Sequence, residues 1–214
     1  LLVEDNPVNQ KVARSMLEKS GCSATLAAHG REALEYLQRE DFDLVFMDMQ
    51  MPVMDGLTAT RRIRHPESGV RDHTIPIIAM TANAMKGDRE SCLQAGMNDY
   101  LAKPIKRKDL LAVIERWSHR ARRNDPPAAK PSQEAGDRAA AANGAEGDTA
   151  VWDREALLDR LDGDRELTEE ILQAFDSELD GQLQALAEAL AAEDADAARK
   201  QAHTIKGAAG NVGA

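Results

Sequence analysis

Aromatic residues are scarce, at 3% of 214 residues, so any core must be built from Leu, Ile, Val, Ala and Met. There are two cysteines, Cys22 and Cys92, far apart and in no metal-type cluster, which argues against a disulfide framework. Both read as small buried thiols. No run approaches the roughly 18 apolar residues of a membrane span, and no signal peptide opens the chain. A basic stripe is also missing, and the net charge is −10, which disfavours direct nucleic-acid binding. What is present is 43% apolar residues, enough for a packed core in one large or two modest domains.

The charge divides the chain. Residues 1–122 carry 18 basic and 17 acidic side chains, residues 123–150 carry 3 and 5, and residues 151–214 carry 6 and 15. A near-neutral unit followed by a strongly acidic one points to two domains of different kind.

In the first unit, short apolar runs alternate with helical patterns. Leu1-Leu2-Val3 reads as the end of a buried strand whose beginning is missing, so the sequence is expected to be a piece of a longer protein. Asn6 or Pro7 then opens a helix with Val8, Val12, Ala13, Met16 and Leu17 as its apolar stripe, and Gly21 is a stop signal. A weak strand over Ser23–Ala27 and a helix over Arg31–Arg39 follow. The run Leu44–Met47 predicts a strand buried on both faces, and a helix is expected from about Leu57 to Arg64. Ile75–Met80 is a further strand, Lys86–Ala95 a helix stopped by Gly96, Tyr100–Ala102 a last strand, and Asp109 to about Arg122 a closing helix. Five strands alternating with five helices predict a parallel sheet covered on both faces.

Such a sheet brings the carboxyl ends of its strands to one edge, where open α/β sheets place their sites. The residues at those ends are Glu4 and Asp5, Asp48, Thr81 and Lys103. A lone strand-end Asp is more often solvated or a helix cap; here the company it keeps decides. Three carboxylates repel one another unless a cation sits among them, and with no His or Cys nearby the donors are hard oxygens suited to Mg²⁺. Asp5 and Asp48 are read as direct ligands, the Gln50 carbonyl is within local reach, and Glu4 is read as acting through water. Asp48 is then a phosphoryl acceptor, Lys103 and the metal neutralise phosphoryl oxygens, and the Thr81 hydroxyl bonds another. A cis Lys103-Pro104 bond would aim the amine inward.

The motifs VEDN at 3–6, MDMQMPVMDG at 47–56, AMTANA at 79–84 and YLAKP at 100–104 resemble those of the receiver domain of two-component response regulators. The resemblance covers about residues 1–122. It implies a flavodoxin-like five-stranded sheet, phosphorylation at Asp48, and Mg²⁺ held by Asp5, Asp48 and the Gln50 carbonyl. It also implies a switch in which Thr81 moves to the phosphate and Tyr100 changes rotamer, with Gln50 and Asn83 tuning phosphate lifetime.

Residues 124–150 are rich in Pro, Ala, Gly and charge and lack large apolar side chains, so 123–150 is expected to be a flexible linker. Beyond it, Asp153 opens a short helix through Leu161, and Ile171, Phe175, Leu179, Leu183, Leu186 and Leu190 form a helical stripe. Asp180-Gly181 is expected to divide that stripe into two helices. Glu193-Asp194 marks a turn, and a last helix starts near Ala195 and carries His203. Lys206, one turn on, lies on the same face as His203, and Gly207 and Ala208 leave that surface bare for a partner. Gly207 and Gly210 inside a helix need a reason, because each costs about 1 kcal/mol against Ala. His29, His65, His73 and His119 have no such surroundings and read as ordinary surface or core residues.

The segment AHTIKGAAGNVGA at 202–214 is similar to the motif of histidine phosphotransfer domains, a resemblance covering about 151–214. It implies an all-α four-helix bundle, incomplete here, whose His203 carries a phosphoryl group with Lys206 assisting. An incomplete bundle is expected to leave part of its apolar stripe exposed. Receiver, linker and phosphotransfer domain in this order resemble the C-terminal part of a hybrid sensor histidine kinase. The implied function is a phosphorelay: a kinase histidine phosphorylates Asp48, and His203 passes the group to or from a downstream response regulator. That places this stretch in the cytoplasm, its parent anchored in the inner membrane. Two rivals are an aspartate-nucleophile phosphohydrolase, which Gln50 disfavours where such enzymes carry a second carboxylate, and a non-catalytic interaction module.

Overall fold

The computed structural model describes residues 1–81, 86–121, 154–161 and 163–212. The expected linker, Asp153, Asn83 and Arg122 lie outside the described residues. The first unit holds five strands, β1 (Leu2–Val3), β2 (Leu26–Ala27), β3 (Val45–Asp48), β4 (Ile77–Thr81) and β5 (Asp99–Ala102). They form one parallel sheet in the order β2-β1-β3-β4-β5. In this flavodoxin-like order the chain reverses direction across the sheet between β1 and β3, which is where such folds bind their ligands. Glu4 and Asp5 follow β1 and Asp48 ends β3.

Side chains alternate across the sheet as the pleat requires. Val3, Val45, Met47, Ile77 and Ala79 face one apolar layer with Ala33, Leu37, Ile63 and Cys92. These come from α2 (Gly30–Arg39), α3 (Gly56–Arg64) and α4 (Lys86–Ala95). Leu2, Phe46, Ile78 and Met80 face the other layer, formed by α1 (Pro7–Glu18) and α5 (Arg107–Ala121). Every residue of β3 and β4 is buried. Of the two cysteines, Cys92 is buried and Cys22 is half-buried.

Each helix start has a local cause. The Asn6 side chain accepts from the Asn9 N–H at 3.1 Å and Pro7 occupies the first turn of α1. Asp55, not Asp48, caps α3 through the Thr58 N–H at 2.8 Å. His29 caps α2, its Nδ1 accepting from the Glu32 N–H at 3.1 Å while Glu32 accepts from the Ala28 N–H at 2.7 Å. That reciprocal cap has the logic of a capping box, with an imidazole in place of the usual hydroxyl. The weak second strand shrinks to Leu26–Ala27, and His65-Pro66 opens a 3₁₀ turn over Pro66–Ser68.

Gly56 is fixed by space. A Cβ there would lie 2.2 Å from the Asp48 carbonyl oxygen and 3.1 Å from Met47 Cγ. The backbone of α3 thus presses directly on the end of β3. Gly56→Ala is expected to lower stability by about 2–3 kcal/mol, as overpacking does, and an unchanged urea midpoint would contradict this packing.

The second unit contains α6 (Arg154–Arg160), α7 (Arg165–Ala191) and α8 (Ala195–Val212). The expected break at Asp180-Gly181 is absent, because α7 is one helix through both residues. Gly181 sits where a Cβ would meet nothing within 4 Å. Its cost of about 1 kcal/mol is outweighed by the stripe continuing through it and by the helix formers that follow. Glu193, at φ +55°, turns the chain, and Asp194 caps α8 by accepting from the Ala197 N–H at 2.9 Å. Leu157, Leu161, Ile171 and Val212 are buried in the same apolar cluster as Val8, Val12 and Met16 of α1, so the second unit rests on α1. Leu183 and Leu190, farther along α7, are exposed.

Candidate functional site

The carboxyl edge of the sheet carries a buried charge cluster. Lys103 Nζ lies 2.6 Å from Glu4 Oε2 and 2.8 Å from Asp48 Oδ2, with all three side chains almost wholly buried. Carboxylate oxygens of Glu4, Asp5 and Asp48 lie within 4.8 Å of one another. Asp48 Oδ1 also accepts from the Gln50 N–H at 3.4 Å. Thr81 is buried at the end of β4, and its carbonyl accepts from the N–H of Lys103, the residue after β5, at 2.7 Å, so the two lie side by side at the edge of the sheet. The Lys103-Pro104 bond is cis.

Two residues of α1 that sequence reasoning passed over hold Glu4 in place. Asn9 Nδ2 donates to Glu4 Oε1 at 2.8 Å, and Gln10 Nε2 donates to the Glu4 carbonyl at 2.6 Å. The available signal was position, since both lie in the first turns of the helix that follows the acidic pair. Glu4 is therefore clamped by Lys103 and Asn9, while Asp5 is half-buried and more open. Tyr100 is half-buried in β5, and the Arg89 guanidinium lies 5.7 Å from its ring centroid, a cation–π contact that no sequence pattern announced.

The electrostatics follow from burial. Loss of water pushes the Glu4 carboxyl up to about 7, with Asp48 adding to the rise against the pull of Lys103 and Asn9. Burial, then the Asp48 charge, also raises Asp5. For Lys103, burial favours the neutral amine, but Glu4 and Asp48 on either side more than offset it and its pKa is raised. Three carboxylates against one ammonium leave an excess of negative charge that a hard divalent cation fits.

His203, on α8, is half-buried and faces this cluster. Burial lowers its pKa, Asp48 works in the opposite direction, and Lys103 and Lys206 reinforce the lowering. The helix comes close at Gly207, where a Cβ would stand 3.7 Å from Nδ2 of Asn9, the amide that holds Glu4. Lys206 is exposed. At Gly210 a Cβ would meet nothing within 4 Å. A cavity of about 520 Å³ lies at the opposite edge of the sheet, between Leu1, Cys22, Phe42 and Phe46, away from all of these groups.

The profile of the response regulator receiver domain matches residues 1–115, more than half of the chain. The chain belongs to the response regulator receiver family. Behind the receiver, residues 170–214 match the Hpt domain. The chain is 36% identical over 208 residues to the sensor histidine kinase GacS of Pseudomonas protegens; the match covers 97% of this chain and 22% of GacS. It thus spans about a fifth of the length of that relative. The crystal structure of the receiver domain of a Pseudomonas aeruginosa sensor histidine kinase, with a magnesium ion in its active-site cleft, is 53% identical. It superposes with a TM-score of 0.50, covering 55% of this chain and 94% of that one. The co-crystal structure of the Saccharomyces cerevisiae histidine phosphotransfer protein Ypd1 with the receiver domain of its response regulator Ssk1 is 34% identical, at a TM-score of 0.52. That match covers 56% of this chain and 87% of that one. A receiver followed by an Hpt domain, in a chain related to hybrid histidine kinases, serves two-component phosphorelay signalling. No described helix is long and apolar enough to cross a membrane.

Proposed function

We propose that Asp48 accepts a phosphoryl group from a kinase phosphohistidine and that His203 relays it between Asp48 and a separate response regulator. The receiver would span residues 1–122 and the Hpt unit 151–214, joined by a linker over 123–150. The observation that carries this reading is the Asp48 carboxylate 2.8 Å from a buried ammonium, with His203 close enough to feel both charges.

In the first step an Asp48 carboxylate oxygen attacks phosphorus, the O–P bond forms and the donor's N–P bond breaks. In the second the imidazole of His203 attacks, and the acyl phosphate O–P bond breaks. Asp5, Asp48 and the Gln50 carbonyl would hold Mg²⁺, with Glu4 acting behind them. Bound there, Mg²⁺ supplies neutralisation of charge on a phosphoryl oxygen. Lys103 supplies the same to a second oxygen, and the Thr81 hydroxyl can donate to a third. Replacing the carboxylate charge of Asp48 by a phosphoryl group draws Lys103 and Thr81 towards it, and Tyr100 follows into the space Thr81 leaves. Its lowered pKa keeps His203 neutral, and so nucleophilic, near pH 7. The donor would be a histidine kinase domain and the final acceptor another receiver; the Ypd1–Ssk1 pair supports this pairing of partners.

The test is labelling with a small phosphodonor such as acetyl phosphate. Label is expected on Asp48 only with Mg²⁺ present and does not form when EDTA is added before the phosphodonor. Metal-independent labelling, or none under any condition, would overturn the reading.

A further inference from the structure

We propose that Lys19 selects this chain's own Hpt domain, locking it against the receiver so that transfer between Asp48 and His203 runs within one molecule. The inference rests on the roles assigned to Asp48 and His203 above. Lys19 closes the C-terminal end of α1. Its Nζ donates to the Leu161 carbonyl at 2.7 Å and pairs with Asp164 Oδ2 at 3.2 Å. Leu161 follows α6 and is buried, and Asp164 is the N-cap of α7, accepting from the Leu167 N–H at 3.0 Å. A single ammonium therefore holds both sides of the turn that sets α6 against α7.

Helix α8 also runs close to the other end of α1, where a Cβ on Gly207, one turn from His203, would stand 3.7 Å from Asn9 Nδ2. With the Lys19 bonds at one end of a helix of 12 residues, about 18 Å long, and this close approach at the other, α1 sets how α8 is presented to Asp48. Between them the contact is apolar and would accept many helical partners. The rim is charged and discriminates: Lys11 of α1 shares a cleft with Asp164, Glu166 and Glu170 and also acts on Glu178, while Arg14 in the same cleft is paired with Glu18 of its own helix at 2.7 Å. Complementary rims of this kind set partner choice more than affinity.

The test uses the whole chain, charged on Asp48 with labelled acetyl phosphate, plus an excess of a tagged D48A copy as a competing acceptor. Variants are K19Q, D164N and the double; Asn keeps the α7 cap while removing the charge. In the parent chain, label is expected on its own His203. K19Q should slow that internal transfer about fivefold, D164N somewhat less, and both should shift label to the tagged copy, with the double no worse than K19Q alone. Raising salt should slow the parent more than K19Q, which keeps only the Lys11 part of the charged rim. Internal transfer at the parent rate and partition in both single variants overturns the proposal, as does a double variant whose loss is the product of the two. Absence of label on Asp48 in every chain overturns the site assignment itself, and this inference with it.

Discussion

Asp48→Ala is expected to lower phosphoryl flow into this chain at least about 1,000-fold, to background, because a transfer without its nucleophile has only its uncatalysed rate. Neighbouring carboxylates cannot stand in. Glu4 is clamped between Lys103 and Asn9, and burial drives its carboxyl towards the neutral acid. Asp5 is more open but does not touch Lys103. His203→Ala gives the complementary result. Asp48 should still take label from the phosphodonor, as a base-labile acyl phosphate, and hold it without passing it on. The two variants together fix the order of the relay: label reaching His203 undiminished in the Asp48→Ala chain would reject the order proposed here.

Much of this site was legible in the sequence because of one regularity. Four of the five strands stop at a reactive side chain, and a parallel sheet puts all those stops on one edge. Asp48 after Val45–Met47, Thr81 after Ile77–Met80 and Lys103 after Leu101 were therefore readable without coordinates. What escaped depends on contacts between elements. His29 looked like an ordinary histidine, since its capping role needs the backbone of Glu32 to fold back on it. Asp180-Gly181 looked like a break because local propensity opposed the longer-range stripe, and the stripe prevailed. Asn9 and Lys19 lie outside the apolar stripe of α1 and belong to no motif; the contacts that single them out are with Glu4 and with the α6–α7 turn.

Lys103→Met is expected to produce the largest change in stability, and one that depends on pH. Methionine keeps most of the side-chain volume and removes the charge that separates Glu4 from Asp48. Breaking a buried ion pair from one side costs about 3–5 kcal/mol, and that is the loss expected at pH 8 in metal-free buffer. The sign of the pH dependence follows from Glu4. Its folded pKa, about 7, lies above the ordinary 4.5, so the folded state holds the proton more tightly. Stability is therefore lost as pH rises from 4.5 through 7 and levels off above. Lys103 is one of the groups pulling that pKa down, so its removal raises Glu4 further and extends the window upward. At pH 5 Glu4 is neutral in the folded state at little cost, and the deficit should fall to about half its value at pH 8. Added Mg²⁺ should recover more stability in the variant than in the parent, because a cation then replaces the missing ammonium. Urea unfolding at pH 5 and pH 8, with and without Mg²⁺, measures all three effects. A deficit that is the same at both pH values would mean that Glu4 is not the group on which the lysine acts.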